Sequence, residues 1–399
     1  MELARVFREE WGRSVAVLAQ ATGDLALAED AVQDAFASAL ERWPDGAPRN
    51  PGAWILTVAR NRAIDRLRRE RTLARKAELL ARLEEVPVQD DESALPDERL
   101  ALMFACCHPL LPANVRVPLT LRMVGGLSTT EIAHAFLVSE AALAQRLVRA
   151  KRRIREIGIP LSVPPDHELP ERLRSVLAVL YLVFNEGYAS SAGDDFVRND
   201  LCDEAIRLAK LLAVSMPDEP EALGLLALML LQDSRREART DPDGDVILLE
   251  DQDRGRWNRG QIEEGKRLLE RALALRRPGP YQLQAAIGAV HASAERPEET
   301  DWPQIAALYG ELLRVDPSPV IALNRAVAVA MAAGPDAGLA LVEGIEGLNG
   351  YHHLHATRAD LLRRCGRRME AAAAYERALA LAPNPAERAL LERRLAEVR

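Results

Sequence analysis

The N-terminal part of the chain alternates apolar and polar positions with the period of an α-helix. The segment GDLALAEDAVQDAFASALERW, from Gly23 to Trp43, separates a buried stripe from an acidic-polar outer stripe. The run PDGAPRNPG that follows is a loop by its proline and glycine content. A second helix is predicted from Ala53 to Arg71. The apolar positions that we expect to be buried in the two helices are Leu27, Ala31, Val32, Ala35, Phe36, Ala39 and Leu40, and Trp54, Ile55, Val58, Ala59, Ile64 and Leu67.

A later segment, LSTTEIAHAFLVSEAALAQRLVRAKRRIRE, has the layout of a helix-turn-helix. Two helical patterns precede it, at residues 97–107 and 114–124. Ser128 and Glu131 form a capping box that opens the first helix of the motif. Ser139 is the predicted N-cap of a basic recognition helix after a turn at residues 137–139. The side chains of that helix that face the core are Leu143, Leu147 and Ile154.

About 240 residues remain, roughly the size of a large domain. They contain four stretches in which a helix is followed by a proline-marked turn and a second helix. These stretches begin at Ala205, Gly265, Ile305 and Ala371. Pro317 and Pro383 are 66 residues apart, which is close to two tetratricopeptide repeats. The sequence AYERALALAPN at 374–384 fits the second helix of such a repeat. The pattern predicts a stacked α-solenoid of degenerate repeats.

Composition narrows the class of protein. A chain of 399 residues should form two to four domains, and its low aromatic content of 4% accompanies many alanine, leucine and arginine residues, which favour helix. No apolar run is long enough to span a bilayer, and the charged start is unlike a signal peptide. Four cysteines in a long chain do not form a disulfide framework. We therefore expect a soluble, cytoplasmic protein that makes no membrane contact.

The net charge of −8 conceals an uneven distribution. Residues 1–158 carry 23 basic and 22 acidic residues, whereas residues 159–399 carry 29 basic and 38 acidic residues. Two basic stretches, Arg60–Lys76 and Ser139–Ile157, lie on either side of the acidic stretch Glu84–Glu98. This arrangement is typical of two DNA-binding modules joined by a linker.

Two motifs together resemble a known family. The first resembles regions 2.2 to 2.4 of an extracytoplasmic-function RNA polymerase sigma factor, and it reads AED-x-VQD-x-F followed by AWI-x-x-VARNRAIDRLRR. The second is the helix-turn-helix, which resembles region 4. The chain as a whole resembles a subgroup with a C-terminal tetratricopeptide-like extension. The resemblance implies an all-α fold: two small helical sigma domains, the second with the helix-turn-helix, followed by an α-solenoid. Its domains would be region 2 at 1–75, an acidic linker at 76–98, region 4 at 99–158 and the extension at 166–399. Within the linker, 87–96 should be extended or disordered.

The resemblance also implies partners and roles. The protein would bind core RNA polymerase, at the β′ clamp helices and the β flap, and promoter DNA. The side chains that would dock on the clamp helices are Asp30, Gln33 and Asp34. The residues that would bind the −10 element, from the loop Asp45–Gly52 and the following helix, are Arg49, Asn50, Trp54, Arg60, Asn61, Arg62, Asp65 and Arg66. The residues that would bind the −35 element are Thr130, Gln145, Arg146, Arg149, Arg152 and Arg153. Ala144 stands where the family often has arginine, so the −35 preference should differ from that of other members.

Several residues invite other interpretations. Cys106-Cys107-His108 lacks two further ligands at finger-like spacing, so we expect buried small side chains there. Asp241, Asp243 and Asp245 resemble a calcium loop, but Val246 replaces the required glycine and Gln252 the bidentate glutamate. That leaves an interaction loop or a solvated insertion. The cluster of His352, His353 and His355 is either a metal site or a set of ordinary histidines, of which we favour the latter. We therefore predict no metal, no cofactor and no catalytic residue, and we find no phosphate loop or nucleophile elbow that would make the protein an enzyme.

One rival interpretation remains at this stage. A solenoid-based regulator or scaffold could use the helix-turn-helix to bind an operator without joining polymerase, but it leaves the 30–34 stripe unexplained. We also expect the extension to contact the sigma domains and to control their activity, either as an inhibitor or, as we favour, as a brace. The segments FNEGY, from Phe184, and LLEDQDRGRW, from Leu248, are predicted to lie near that contact. A small-molecule or protein signal is possible in principle but is not identified by the sequence.

Overall fold

The computed structural model describes residues 2–43, 46–69, 83, 96–136, 138–188, 198–241, 246–382 and 385–399. The chain divides into two compact units, Met1–Val183 and Phe184–Arg399. The described residues are overwhelmingly helical, which confirms the all-α fold class. The predicted extended segment at 87–96 falls almost wholly outside the described residues. None of the described helices is both long and apolar enough to cross a membrane.

The first unit contains the helices of both predicted sigma domains. The helices that lie wholly within it are α1 Glu2–Thr22, α2 Leu25–Arg42, α3 Pro51–Arg69, α4 Pro96–Cys106, α5 Ala113–Met123, α6 Thr129–Ala135 and α7 Glu140–Ile157. Helix α8, Leu169–Tyr188, begins in this unit and ends in the second. Helix α1 contacts α2, α3 and α4, and α2 contacts α7.

The starts of two of these helices are fixed by the residues that the sequence suggested. The capping box closes reciprocally, because Ser128 N donates to Glu131 Oε2 at 2.7 Å and Glu131 N donates to Ser128 Oγ at 3.1 Å. Ser139 Oγ accepts from the amide of Ala142, as an N-cap does. Gly158 ends α7 in the left-handed region, with φ of 72°. Of the predicted turn at 137–139, residue 137 lies outside the described residues.

The buried face of α2 differs in one place from the prediction. Ala31, Val32, Ala35, Phe36 and Ala39 are buried as expected, together with the unpredicted Leu25 and Ala28. Leu27 is only half-buried. Leu40 is 69% exposed, so its predicted burial is wrong. It follows the apolar period but lies in the last turn of α2, and periodicity alone does not tell whether a neighbouring element covers a helix end.

Helix α3 keeps most of its predicted core. Ile55, Ala59, Ile64 and Leu67 are buried, whereas Trp54 and Val58 are half-buried. The Trp54 ring meets the Trp43 ring edge to face, with centroids 5.1 Å apart. The helix begins two residues earlier than predicted, because Asn50 caps it by accepting from Ala53 N at 2.9 Å.

The second unit is a stack of helices in which each one contacts its neighbours along the chain. The helices that lie wholly within it are α9 Asn199–Ser215, α10 Pro220–Asp233, α11 Arg259–Ala274, α12 Pro280–Ser293, α13 Trp302–Val315, α14 Pro319–Ala333, α15 Pro335–Glu343, α16 His352–Arg364, α17 Arg368–Leu381 and α18 Pro385–Val398. Each of the four predicted stretches forms a helix pair, and the second helix of each pair starts on a proline. Proline suits that first position because its missing amide would have no partner there.

Candidate functional site

The predicted polymerase-binding stripe lies on the surface of α2, and an arginine of α3 bridges it. Asp30 and Gln33 are exposed and Asp34 is half-buried. Arg66 Nη1 lies 2.7 Å from Asp30 Oδ2, and its Nη2 lies 2.8 Å from Asp34 Oδ2. The three side chains are 34%, 53% and 43% exposed, so each pair contributes at most about 1 kcal/mol. A basic partner helix can therefore displace Arg66 at little cost.

The residues predicted to bind the −10 element do not all present free side chains. Asn61, Arg62 and Asp65 are exposed on α3, and Arg49 is exposed just before it. Asn50 uses its side-chain oxygen as the cap of α3. Arg66 is held by the α2 carboxylates, Arg60 and Trp54 are half-buried, and Asp45 of the predicted loop lies outside the described residues. The exposed polar row of α3 is thus the part of this set that is directly accessible.

The predicted −35 residues lie on the outer face of α7. Gln145, Arg149, Arg152 and Arg153 are exposed, and Arg146 is half-buried. Thr130 is exposed at the start of α6. The three core residues predicted for α7, Leu143, Leu147 and Ile154, are all buried. Arg152 also pairs with Glu156 one turn later, at 2.6 Å. The helix therefore separates a basic outer face from an apolar inner one, as a recognition helix requires.

A buried ion triad joins the two predicted sigma domains and was not foreseen from the sequence. The Glu29 side chain on α2 is only 7% exposed. Its Oε1 lies 2.6 Å from Arg122 Nε on α5, and its Oε2 lies 2.5 Å from Lys151 Nζ on α7. A second, more exposed pair joins Asp24 Oδ2 to Arg155 Nη1 at 2.9 Å. The recognition helix is therefore attached to α2 through a side that lies between its apolar face and its outer face.

Aromatic and glycine contacts surround the triad. Trp11 on α1 is buried, its Nε1 donates to the Arg122 carbonyl oxygen at 3.0 Å, and the Arg122 guanidinium lies 5.0 Å from the ring centroid. Gly12 lies against the Val124 backbone so closely that a Cβ atom there would be 2.4 Å from the carbonyl oxygen. Gly126, with φ of 78°, lies under the Trp11 ring. The contact between the two domains is a close, specific interface.

The alternative metal motif is part of the core. Cys106 and Cys107 are both buried, as expected. Burial raises the pKa of the Cys107 thiol to about 12, and its sulfur lies 3.3 Å from Thr120 Oγ1. His108 Nδ1 accepts from the Leu110 amide at 3.1 Å. These groups act as packing and hydrogen-bonding residues in the described structure.

The two segments that did not fit the repeats are held within the second unit. The Phe184 and Tyr188 rings stack at 5.6 Å, and the Arg239 guanidinium lies 3.4 Å from the Tyr188 ring centroid. In the other segment, Arg254 is buried and donates to the carbonyl oxygens of His291 and Ala294 at 2.9 and 2.8 Å. Residues 252 and 257 are buried as well, so the prediction of a solvated insertion is wrong for this part. Its polar groups find backbone acceptors inside the unit, which the sequence pattern does not show. Residues 242–245, which include Asp243 and Asp245 of the calcium-loop-like motif, lie outside the described residues.

Comparison with known proteins identifies three regions of the chain. Residues 8–72 match sigma-70 region 2, and residues 101–154 match sigma-70 region 4. Residues 172–273 match a family of unknown function, DUF6596. An uncharacterized protein of Rhizobium meliloti (strain 1021) is 50% identical over 380 residues, which cover 93% of this chain and 90% of that protein. The similarity to this relative therefore includes the C-terminal part.

Proposed function

Because the chain belongs to the extracytoplasmic-function sigma factors of the sigma-70 family, with a C-terminal helical extension, we propose that α2 binds core polymerase while α3 and α7 read the promoter. Sigma factors of this family have core RNA polymerase and promoter DNA as partners. The acidic face formed by Asp30, Gln33 and Asp34 suits a basic partner helix. We assign that partner to the β′ clamp helices, and a contact with the β flap to the helix-turn-helix domain.

The observation that carries the proposal is the division of α7 into three parts. Leu143, Leu147, Ala150 and Ile154 are buried. Its outer face presents Gln145, Arg149 and neighbouring arginines, and its remaining side is attached to α2. Glutamine and arginine read base edges by bidentate hydrogen bonds in the major groove. The arginines toward the end of the helix suit phosphate contacts, which add affinity without sequence preference.

The triad implies that the two sigma domains must separate on promoter DNA. The −10 and −35 elements are about 25 base pairs apart, which is roughly 85 Å at the 3.4 Å rise of B-DNA. A Lys151–Glu29 distance of 2.5 Å between α7 and α2 is incompatible with simultaneous reading of both elements. We therefore infer that the closed arrangement of the first unit is a resting state and that polymerase and promoter bind an open one.

We further propose that the extension controls the sigma domains as a brace. Its first helix, α8, already contributes to the first unit, because Arg172 Nη2 donates to the Phe104 carbonyl oxygen at 2.9 Å. Arg172 itself is buried, and so are Val176 and Leu180 of the same helix. A chain cut at residue 160 would lose α8 and the bond to Phe104. The expected result is a fragment of lower solubility and lower promoter-specific output than the full chain, whereas an inhibitory extension would give a hyperactive fragment. A soluble fragment with unchanged output would exclude both roles.

The sigma function is tested by reconstitution. Purified full-length protein is incubated with core RNA polymerase, the complex is isolated by size exclusion, and transcript starts are mapped. We expect a stoichiometric complex and starts at defined promoters that share a −10 and a −35 sequence. Operator binding without entry into the polymerase complex would instead support a regulator of the helix-turn-helix type and would exclude the sigma assignment.

The closed resting state is tested by a wedge at Gly12. Alanine there places a Cβ atom 2.4 Å from the Val124 carbonyl oxygen in the closed state, and separation of the domains removes that clash. The gain in helix propensity, about 0.8–1 kcal/mol, is common to both states. Gly12→Ala should therefore bind core polymerase more tightly and speed hydrogen exchange around Val124. Gly310→Ala is the matched control, since the nearest neighbour to a Cβ there is an arginine nitrogen at 3.9 Å. Equal polymerase affinity in wild type, Gly12→Ala and the control would contradict a resting closed state.

A further inference from the structure

A cavity of about 800 Å³ lies within the second unit. Its wall is formed by helices α12 to α14 and α16 to α18 together with the LLED residues, and most of its lining is apolar. The Arg254 segment closes one side. At another side the first turns of α16 and α18 bring His352, His353 and Glu387 together.

The ligand atoms of these three residues converge. His352 Nε2 lies 3.2 Å from Glu387 Oε2, and His353 Nε2 lies 3.7 Å from Glu387 Oε1. All three ligand atoms lie within 4.8 Å of one another. Around a tetrahedral ion with bonds of about 2.0–2.2 Å, ligand atoms are separated by roughly 3.3–3.6 Å. His352 Nε2 lies near that separation from Oε2, whereas His353 Nε2 approaches the other carboxylate oxygen, Oε1. Binding of one common ion therefore requires a rotation of the His353 ring, which is 47% exposed and whose centroid lies 3.9 Å from that of His352 and 5.0 Å from that of Tyr351.

The hydrogen bonding of the cluster leaves a lone pair for a ligand. His352 Nε2 is buried and has no hydrogen-bond partner among the described residues, although the Glu387 carboxylate is near. By contrast, His355 on the same helix is engaged, with its Nε2 2.9 Å from the Asn349 carbonyl oxygen.

We propose that His352, His353 and Glu387 bind a divalent first-row transition-metal ion, such as Zn²⁺, with one coordination position directed to the cavity. Two imidazoles and a carboxylate form a donor set that proteins use for zinc and for iron(II) when a position is left open to water or a ligand. This assignment replaces our expectation from the sequence that the histidine cluster is ordinary. It does not depend on the sigma function.

The electrostatic balance is compatible with a cation. Both helix N-termini disfavour a positive ion, because the helix dipole is positive at that end. The Glu387 carboxylate offsets this, and metal–ligand bonding outweighs the effect of a helix dipole in protein metal sites. Because His352 and His353 belong to α16 and Glu387 belongs to α18, an ion would cross-link the C-terminal helix to the body of the unit.

The test uses the full-length, tag-free protein after treatment with a chelator. Co²⁺ is titrated and followed by its visible d–d absorption, and Zn²⁺ is titrated by calorimetry. We expect one ion per chain. His352→Gln and Glu387→Gln should each weaken the affinity at least about tenfold, a loss of roughly 1.4 kcal/mol or more. The control His355→Gln should bind as the wild type does. Zn²⁺ should also slow hydrogen exchange in α18 of the wild type but not of Glu387→Gln.

Two results would overturn the proposal. One is the absence of stoichiometric Co²⁺ and Zn²⁺ binding by the wild type. The other is a failure of the ligand variants to differ from their reference. This is seen if both bind the ion as tightly as the wild type does, or if His355→Gln loses as much affinity as they do. Far-ultraviolet circular dichroism identifies a variant that has not folded. If His352→Gln fails to fold, Glu387→Gln remains as the test, because the Glu387 side chain is 22% exposed and its replacement disturbs the core less.

Discussion

Replacement of Glu29 by glutamine should open the contact between the two sigma domains. Glutamine keeps the size of the side chain but removes the charge that Arg122 and Lys151 share in the closed state. Both cations are also buried or nearly so, with side chains 8% and 14% exposed. In the open state all three groups would be solvated, so the substitution acts almost entirely on the closed state.

The size of the effect follows from two independent estimates. Two charge-assisted hydrogen bonds contribute about 1.5–3 kcal/mol each, which gives about 3–6 kcal/mol for the pair. Removal of one partner from a buried ion pair typically costs about 3–5 kcal/mol. Arg122 would keep its bond to the Leu127 carbonyl oxygen and its place over Trp11. We therefore expect a loss near the lower end, about 3 kcal/mol, which shifts the opening equilibrium roughly 150-fold.

Hydrogen exchange measured by mass spectrometry gives the opening free energy from peptides that cover Trp11 and Val124. Arg155→Gln is the matched control, because it removes the more exposed pair with Asp24, and its effect should be below about 1 kcal/mol. Far-ultraviolet circular dichroism should show an unchanged helix content in both variants. If Glu29→Gln changes the opening free energy by no more than Arg155→Gln does, the triad does not hold the domains together.

Three further predictions concern other sites. The double variant Asp30→Arg, Asp34→Arg should lose core polymerase in co-purification, while Glu9→Arg on α1 should retain it; retention by both would refute the assignment of the α2 face. Arg149→Ala and Gln145→Ala should each lower discrimination at one −35 position by about 1–3 kcal/mol in a promoter mutational profile, and an unchanged profile would exclude base reading. Burial, reinforced by Arg235 and Arg254, lowers the pKa of His291 from 6.5 to about 4. The unfolded chain therefore takes up a proton first as the pH falls, and the second unit should lose about 3 kcal/mol between pH 6.5 and pH 4. His291→Asn should abolish that part of the pH dependence of urea unfolding.

Local signals predicted the elements well, because each is determined by neighbours in sequence. The capping box at Ser128 and the cap at Ser139 both form as expected. The prolines that start α10, α12, α14 and α18 mark repeat boundaries for the same reason. Leu40 shows the limit of this reasoning, since it occupies an apolar position of the helical period but its side chain is exposed.

Contacts between distant segments could not be predicted in the same way. Glu29 lies among buried positions of α2, and a carboxylate on an apolar face is a signal that it has partners, but its partners are 93 and 122 residues away. Likewise, Arg254 lies in a segment whose acidic composition suggests solvent exposure, and only the fold shows the carbonyl oxygens that it reaches. The histidine pair at 352–353 acquires its carboxylate from a helix that begins more than 30 residues later.

The three sides of α7 have a consequence for how such proteins diverge. At about 100° per residue, the outer face, the core face and the side toward α2 occupy separate sectors of the helix. Under the proposed assignment of base reading to 145 and 149, substitutions there would retune promoter preference without disturbing the attachment to α2. By contrast, Glu29 forms ion pairs with both Arg122 and Lys151. A change at one of these positions should therefore be accompanied in relatives by changes at the others. Paralogues within one genome could in this way acquire new promoters while retaining a common closed form.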